Sequence, residues 1–206
     1  MNLIFDLDGT LWDSRHTIIE AWNDVLKAEN IERTDFTIED MKPFIGLPQL
    51  QIVKELFPDF SLKKCEELEV KLTNAENEYL GSVNGVLYPK VEDTLRKLKE
   101  NHSLFIVSNC GEGYIEKFLD SFNFHALFTD FESFGRTKTS KAENIALVMK
   151  RNNLEDAIYI GDTASDQKSA KANNLPFVFC EYGFGNVEDF DYKISNFEKI
   201  LMVFKH

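Results

Sequence analysis

Short apolar runs recur along the chain at residues 3–5, 104–107, 157–160 and 177–179, each bounded by turn formers or charged residues. Runs of this length predict buried strands. Residues 126–129 form a fifth, weaker candidate. Between these runs, residues 91–100, Tyr114–Phe122, Lys141–Arg151 and 166–173 place apolar side chains at helical spacing. Strands alternating with helices of this length predict an α/β fold, with a parallel sheet covered by helices on both faces.

Residues 14–82 break the alternation. They are rich in helix formers with charges spread throughout, and residues 18–29 and 62–80 are the clearest helical stretches. Pro43, Gly46, Pro48 and Pro58 punctuate the segment, which predicts several helices joined by loops. The expected organisation is therefore a core built from residues 1–13 and 83–206, with a small helical domain, 14–82, inserted after the first strand.

Composition narrows the picture. The 206 residues are 43% apolar and 13% aromatic, with 18 phenylalanines, enough for one substantial core and a second small lobe. The formal net charge of −12 disfavours nucleic acid and anionic membrane surfaces, so a phosphorylated substrate has to be met by local cations or a metal. The three cysteines, Cys65, Cys110 and Cys180, share no metal-ligand spacing and suggest no disulfide framework, which fits a reducing cytoplasm. No targeting segment and no membrane span is expected.

Candidate chemistry stands at the ends of the predicted strands. Asp6-Leu7-Asp8-Gly9-Thr10 follows the first run directly. Side chains two apart lie on one side of a strand, so both carboxylates can face one opening. Magnesium takes hard oxygen ligands, and one carboxylate with a few partners holds it, leaving the other for proton transfer. Thr10 adds a hydroxyl beside them. Ser108 and Asn109, after the second run, offer neutral hydrogen-bond donors suited to phosphoryl oxygens. Asp162 and Asp166 are spaced i, i+4 where a third strand turns into a helix, and can contribute to one cation. A cation to balance the cluster comes from Lys141 or Lys138. Each of these motifs is also ordinary turn chemistry taken singly; their recurrence at three strand ends, the ligand edge of an open α/β sheet, points to a site.

In this order, the four elements resemble the haloacid dehalogenase-like hydrolases, with Asp6 to Thr10 as first motif, Ser108 as second, Lys141 as third and Gly161 to Asp166 as fourth. The resemblance implies a Rossmann-like, doubly wound core and a magnesium-dependent phosphatase. It implies Asp6 as nucleophile and metal ligand, Asp8 as general acid/base with its backbone carbonyl on the metal, Asp162 as a further ligand and Asp166 as a ligand or supporting acid. Residues 14–82 resemble the helical cap of the phosphoglycolate phosphatase and β-phosphoglucomutase branch, and the loop Phe44-Ile45-Gly46-Leu47-Pro48 is similar to the one facing substrate there, with Gly46 as a substrate-binding position. Tyr182-Gly183-Phe184-Gly185 and residues 191–200 look like that branch's final segment, whereas the Lys-Pro pair usual in its third motif is missing. Arg15, Lys42 and Gln49 are candidate readers of the leaving group. The implied substrate is a small phosphorylated metabolite and the implied assembly a monomer or homodimer. A phosphomutase shares every motif; a dehalogenase has no use for Asp8, and a non-catalytic module would be expected to lack a catalytic aspartate.

Overall fold

The computed structural model describes residues 1–33, 35–82 and 85–204; the expected return to the core at residue 83 falls outside them. In chain order the elements are β1 (Asn2–Phe5), β2 (Trp12–Asp13), α1 (Arg15–Ala28), α2 (Ile38–Met41), α3 (Gln49–Leu56), α4 (Leu62–Ser82) and β3 (Val86–Leu87). There follow α5 (Val91–Lys99), β4 (Ser103–Ser108), α6 (Tyr114–Phe122), β5 (Phe128–Ser133), α7 (Phe134–Thr137), α8 (Lys141–Arg151) and β6 (Ala157–Gly161). The chain closes with α9 (Ala164–Ala172), β7 (Phe177–Cys180), β8 (Tyr192–Ile194) and α10 (Ile200–Val203).

Six strands form one parallel sheet in the order β5-β4-β1-β6-β7-β8. The chain fills one side of β1 first, with β4 and β5, then crosses to the other with β6, β7 and β8. That reversal makes β1 and its neighbours the topological switch point, where open α/β sheets bind ligands at the strands' carboxyl ends. The three strands whose ends carry the acidic or polar motifs, β4, β1 and β6, are adjacent there.

Alternation along β1 shows why the runs read as buried. Leu3 and Phe5 enter a cluster with α5 and α6, including Leu95 and Phe118, while Ile4 enters the opposite cluster with α8, including Ile145 and Val148. Both faces are covered, so neither alternating position is polar. A third cluster, with Trp22 and Leu26 of α1, Ile52 and Val53 of α3 and Leu68 and Leu72 of α4, lies within the helical segment.

Some expectations need correction. The fifth strand is Phe128–Ser133, not residues 126–129; it is the sheet's edge, and Asp130 and Glu132 in it are tied by Arg151 Nε at 2.5 Å and Nη1 at 2.6 Å, so its pattern is not a plain apolar run. β8 was not anticipated as a strand, because two of its three residues are exposed. Nor was the antiparallel β2–β3 pair, which ties Trp12 to Leu87 where the helical segment leaves and rejoins the sheet; two residues per strand carry no periodicity. Among the described residues no helix is long and apolar enough to cross a membrane.

Candidate active site

Asp6 is the first residue beyond β1, its N–H donating to Ile160 O at 2.8 Å, so the sheet itself fixes where its side chain leaves. Lys141, the first residue of α8, is 3% exposed and places its Nζ 3.0 Å from Asp6 Oδ1 and 2.6 Å from Asp166 Oδ1. A capping box between Ser140 and Glu143 starts α8 at that point and so sets the lysine's position. Lys138, the competing lysine, is exposed and lies 3.9 Å from Glu69 Oε1 of α4. The geometry thus assigns the buried cation of the cluster to Lys141.

Ligand oxygens of Asp6, Asp162 and Asp166 lie within 4.8 Å of one another, all on buried residues. Burial raises the Asp6 carboxyl to about 7; Asp166 adds to the rise and Lys141 opposes it. Asp162 is likewise held well above the ordinary carboxylate range by burial, then by Asp166 and Asp6. Burial works against the Lys141 ammonium too, but Asp166 and Asp6 outweigh it and keep the lysine charged. Three buried carboxylates facing one lysine leave an excess of negative charge that suits a divalent cation with a preference for oxygen. The residues therefore fit magnesium.

Asp166 differs from the other two. Its Oδ1 accepts from Lys141, and its Oδ2 accepts from the Thr163 hydroxyl at 2.7 Å and from the N–H groups of Thr163 at 2.9 Å and Asp162 at 3.2 Å. Its two oxygens thus take four donors within the protein, against two on those of Asp162, and through them Asp166 orients the lysine and the Asp162 turn.

Asp8 stands apart from that cluster. Its Oδ1 accepts from Ser14 Oγ at 2.6 Å and Tyr114 Oη at 2.8 Å. Burial raises its carboxyl by more than these two bonds lower it, which favours the proton-carrying form that an acid needs. Ser14 and Tyr114 were not singled out from the sequence: Tyr114 occupies an apolar position of α6, where its hydroxyl gives no periodic signal.

Thr10 is fully buried, its hydroxyl lies 3.4 Å from Asp162 Oδ1, and it is not among the residues that line the cavity. Ser108 and Asn109 do line it. Asn109 Nδ2 donates to Gly46 O at 2.7 Å, joining the loop of the helical segment to the end of β4, and its buried Oδ1 has no hydrogen-bond partner among the described residues. Gly46 takes φ +81°, a left-handed conformation that glycine adopts without strain. Tyr182 and Phe184, from the final segment, brace the site, Phe184 also lining the cavity: Tyr182 Oη donates to Thr10 O at 2.7 Å, and Phe184 N to Asp162 Oδ2 at 2.7 Å.

The cavity in front of Asp6 and Asp8 measures about 160 Å³ and is walled by the helical segment, through Ile18, Trp22, Phe44 and Ile52. Of the candidate readers, Arg15 lines it but is committed to Asp13 through Nε at 2.9 Å and Nη2 at 2.6 Å, with its guanidinium over the Phe184 ring. Gln49 lines it too, whereas Lys42 is exposed, pairs with Glu39 and does not reach it.

Gly9 tests how closely the first motif must approach Asp162. It has φ +79°, and a Cβ there would stand 2.2 Å from Asp162 Oδ2. Gly9→Ala is expected to cost roughly 2 kcal/mol or more, lowering Tm by about 4–8 °C, and to displace Asp162 enough to remove most activity. Thermal unfolding and turnover measured on one preparation check both parts; a variant with unchanged Tm and turnover contradicts the close approach.

The description "Haloacid dehalogenase-like hydrolase" belongs to the family model that matches residues 3–180. A phosphoglycolate phosphatase from Psychrobacter arcticus is 25% identical over 199 residues, covering 91% of this chain and 86% of its own. A 5'-nucleotidase from Pseudomonas aeruginosa is 27% identical, over 91% of this chain and 86% of its own. The fold is shared with a solved haloacid dehalogenase-like family hydrolase from Streptococcus pneumoniae, with a TM-score of 0.85 and 22% identity over 99% of this chain and 98% of that one. With the match spanning β1 to β7 and so every motif of the site, this chain belongs to the haloacid dehalogenase-like hydrolases.

Proposed function

We propose that this hydrolase is a magnesium-dependent phosphatase of small phosphomonoesters, working through an aspartyl-phosphate on Asp6. The observation that carries the reading is the division of labour between two carboxyls at one strand end: buried Asp6 beside Lys141, and half-buried Asp8 held apart by Ser14 and Tyr114. Asp6 attacks phosphorus, the P–O bond to the leaving alcohol breaks, and Asp8 delivers its proton to that oxygen. Asp8 then takes a proton from the water that opens the acyl phosphate, which returns both carboxyls to their starting forms. Lys141, Ser108 and Asn109 face the equatorial oxygens.

Asp6 and Asp162, with the Asp8 carbonyl, would hold the magnesium; when bound, it offsets the repulsion between carboxylate and phosphate. The helical segment 14–82 acts as a cap that excludes water and reads the leaving group, its Gly46 loop meeting Asn109. Relatives acting on phosphoglycolate and on nucleotides are alike in identity to this chain, so kinship leaves the ester itself open.

Phosphate release from a panel of phosphomonoesters, with magnesium and with magnesium plus EDTA, tests the reading. Release that EDTA abolishes is expected. Isomerised product with little free phosphate would make the chain a mutase instead, and metal-independent release would sink the metal assignment.

A further inference from the structure

Helix α4 buries Cys65, Leu68, Leu72, Glu76 and Leu80 along one stripe. A glutamate on the apolar face of a helix is unusual, since leucine there would continue the stripe and cost nothing in desolvation. Glu76 is 6% exposed, yet it lines the cavity. Its Oε1 accepts from Trp22 Nε1 at 2.5 Å and from Gln49 Nε2 at 2.7 Å, and Gln49 is itself held by the Thr73 hydroxyl. Three helices thus converge on one carboxyl oxygen and fix the group, and neither the indole nor the amide engages Oε2. No cation pairs with the carboxyl among the described residues, and burial, with Asp8 and Glu69 behind it, lifts it to about 8 in spite of the Trp22 bond. The proposed reaction uses Asp6 and Asp8 and gives Glu76 no task.

The rest of the cavity decides what such a group would meet. Its lining cations, Arg15 and Lys141, are both committed, to Asp13 and to Asp6 with Asp166. The acids lining it are Asp6, Asp8 and Glu76. A leaving group carrying a carboxylate would bring negative charge to a desolvated wall whose cations are already paired, whereas a hydroxyl or ammonium would donate to Oε2 of Glu76 and draw its carboxyl into the ionised form. The volume, about 160 Å³, is that of a cavity able to hold one benzene-sized body, so the organic part is small.

We propose that Glu76 is a specificity-determining residue that selects small phosphomonoesters whose leaving group carries a hydrogen-bond donor, hydroxyl or ammonium, and rejects those ending in a carboxylate. The inference rests on the phosphatase reading of the same site and names its substrate class.

The probes are 2-aminoethyl phosphate, 2-hydroxyethyl phosphate and phosphoglycolate, which differ only at the far end, with acetyl phosphate as a compound bearing neither donor nor carboxylate there. In the wild type at least one donor ester is expected to exceed phosphoglycolate in kcat/KM by on the order of 10–100-fold. Glu76→Gln keeps an acceptor for Trp22 and Gln49, and is expected to collapse that preference, each rate being taken relative to the same protein's rate on acetyl phosphate. A glutamate that merely clamps three helices would leave the ranking untouched, and that result overturns the proposal, as does phosphoglycolate matching both donor esters. Calorimetric titration of Asp6→Asn with the same esters reads binding without turnover: donor esters binding more tightly than phosphoglycolate support the selection even if no ester is hydrolysed, and equal or absent binding rejects it.

Discussion

Replacing Asp6 with asparagine is expected to lower turnover by at least about 10⁴-fold, because the amide has the shape of the carboxylate but cannot act as nucleophile. The same change is expected to stabilise the metal-free protein at alkaline pH. The Asp6 carboxyl lies near 7 in the folded state against 3.8 as its ordinary value, raised chiefly by burial and then by Asp166. Between those two values the unfolded chain binds fewer protons at this site than the folded one, so stability falls as pH rises through the window and levels off above it. Asparagine has no such dependence. After allowing for the lost charge pairing with Lys141, the gain at pH 8 in EDTA is expected to be on the order of 1–2 kcal/mol, roughly 2–8 °C in Tm, shrinking to nothing near pH 4. Unfolding curves from pH 4 to 8 beside a turnover assay separate the two effects. An inactive variant that melts lower at every pH would mean that Asp6 holds the fold together and would weaken its assignment as nucleophile.

Much of the site was legible because each motif follows a strand buried on both faces: Asp6 after β1, Ser108 at the end of β4 and Asp162 after β6 are each announced by an apolar run that stops. Other features were not legible for identifiable reasons. Lys138 and Lys141 are three residues apart, and only the start of α8, fixed by Ser140 and Glu143, decides which of them turns inward. Thr10 closes the first motif, and beyond the left-handed turn at Gly9 its hydroxyl lies beside Asp162 and off the cavity wall. Tyr114 is spaced as a core residue and is one, apart from a single oxygen on Asp8. Glu76 did leave a signal, a lone acid at the four-residue spacing of Leu72 and Leu80, and a search for polar residues breaking an apolar stripe would have found it. The β2–β3 pair left none, since two residues have no period to read.

Lys141→Met is expected to show that the buried cation serves chemistry and metal affinity in opposite directions. Among the described residues the lysine is the one cation paired with Asp6 and Asp166, and methionine fills much of its volume without the charge. With it gone, the equatorial phosphoryl oxygens lose a donor placed beside the nucleophile, and kcat/KM is expected to fall by about 10²–10³-fold. The carboxylates lose their internal counter-charge at the same time. In EDTA this leaves Asp166 buried and unpaired, a cost on the order of 3–5 kcal/mol that protonation of the cluster would partly relieve at low pH. A divalent cation then has less positive charge to displace, so magnesium is expected to bind the variant roughly tenfold more tightly and to raise its Tm by more than it raises that of the wild type. Calorimetric titration with magnesium, paired with turnover at saturating metal, reads both arms. If affinity and activity fell together, Lys141 would be organising the carboxylates for the metal rather than neutralising them, and its place opposite the phosphoryl oxygens would have to be given up.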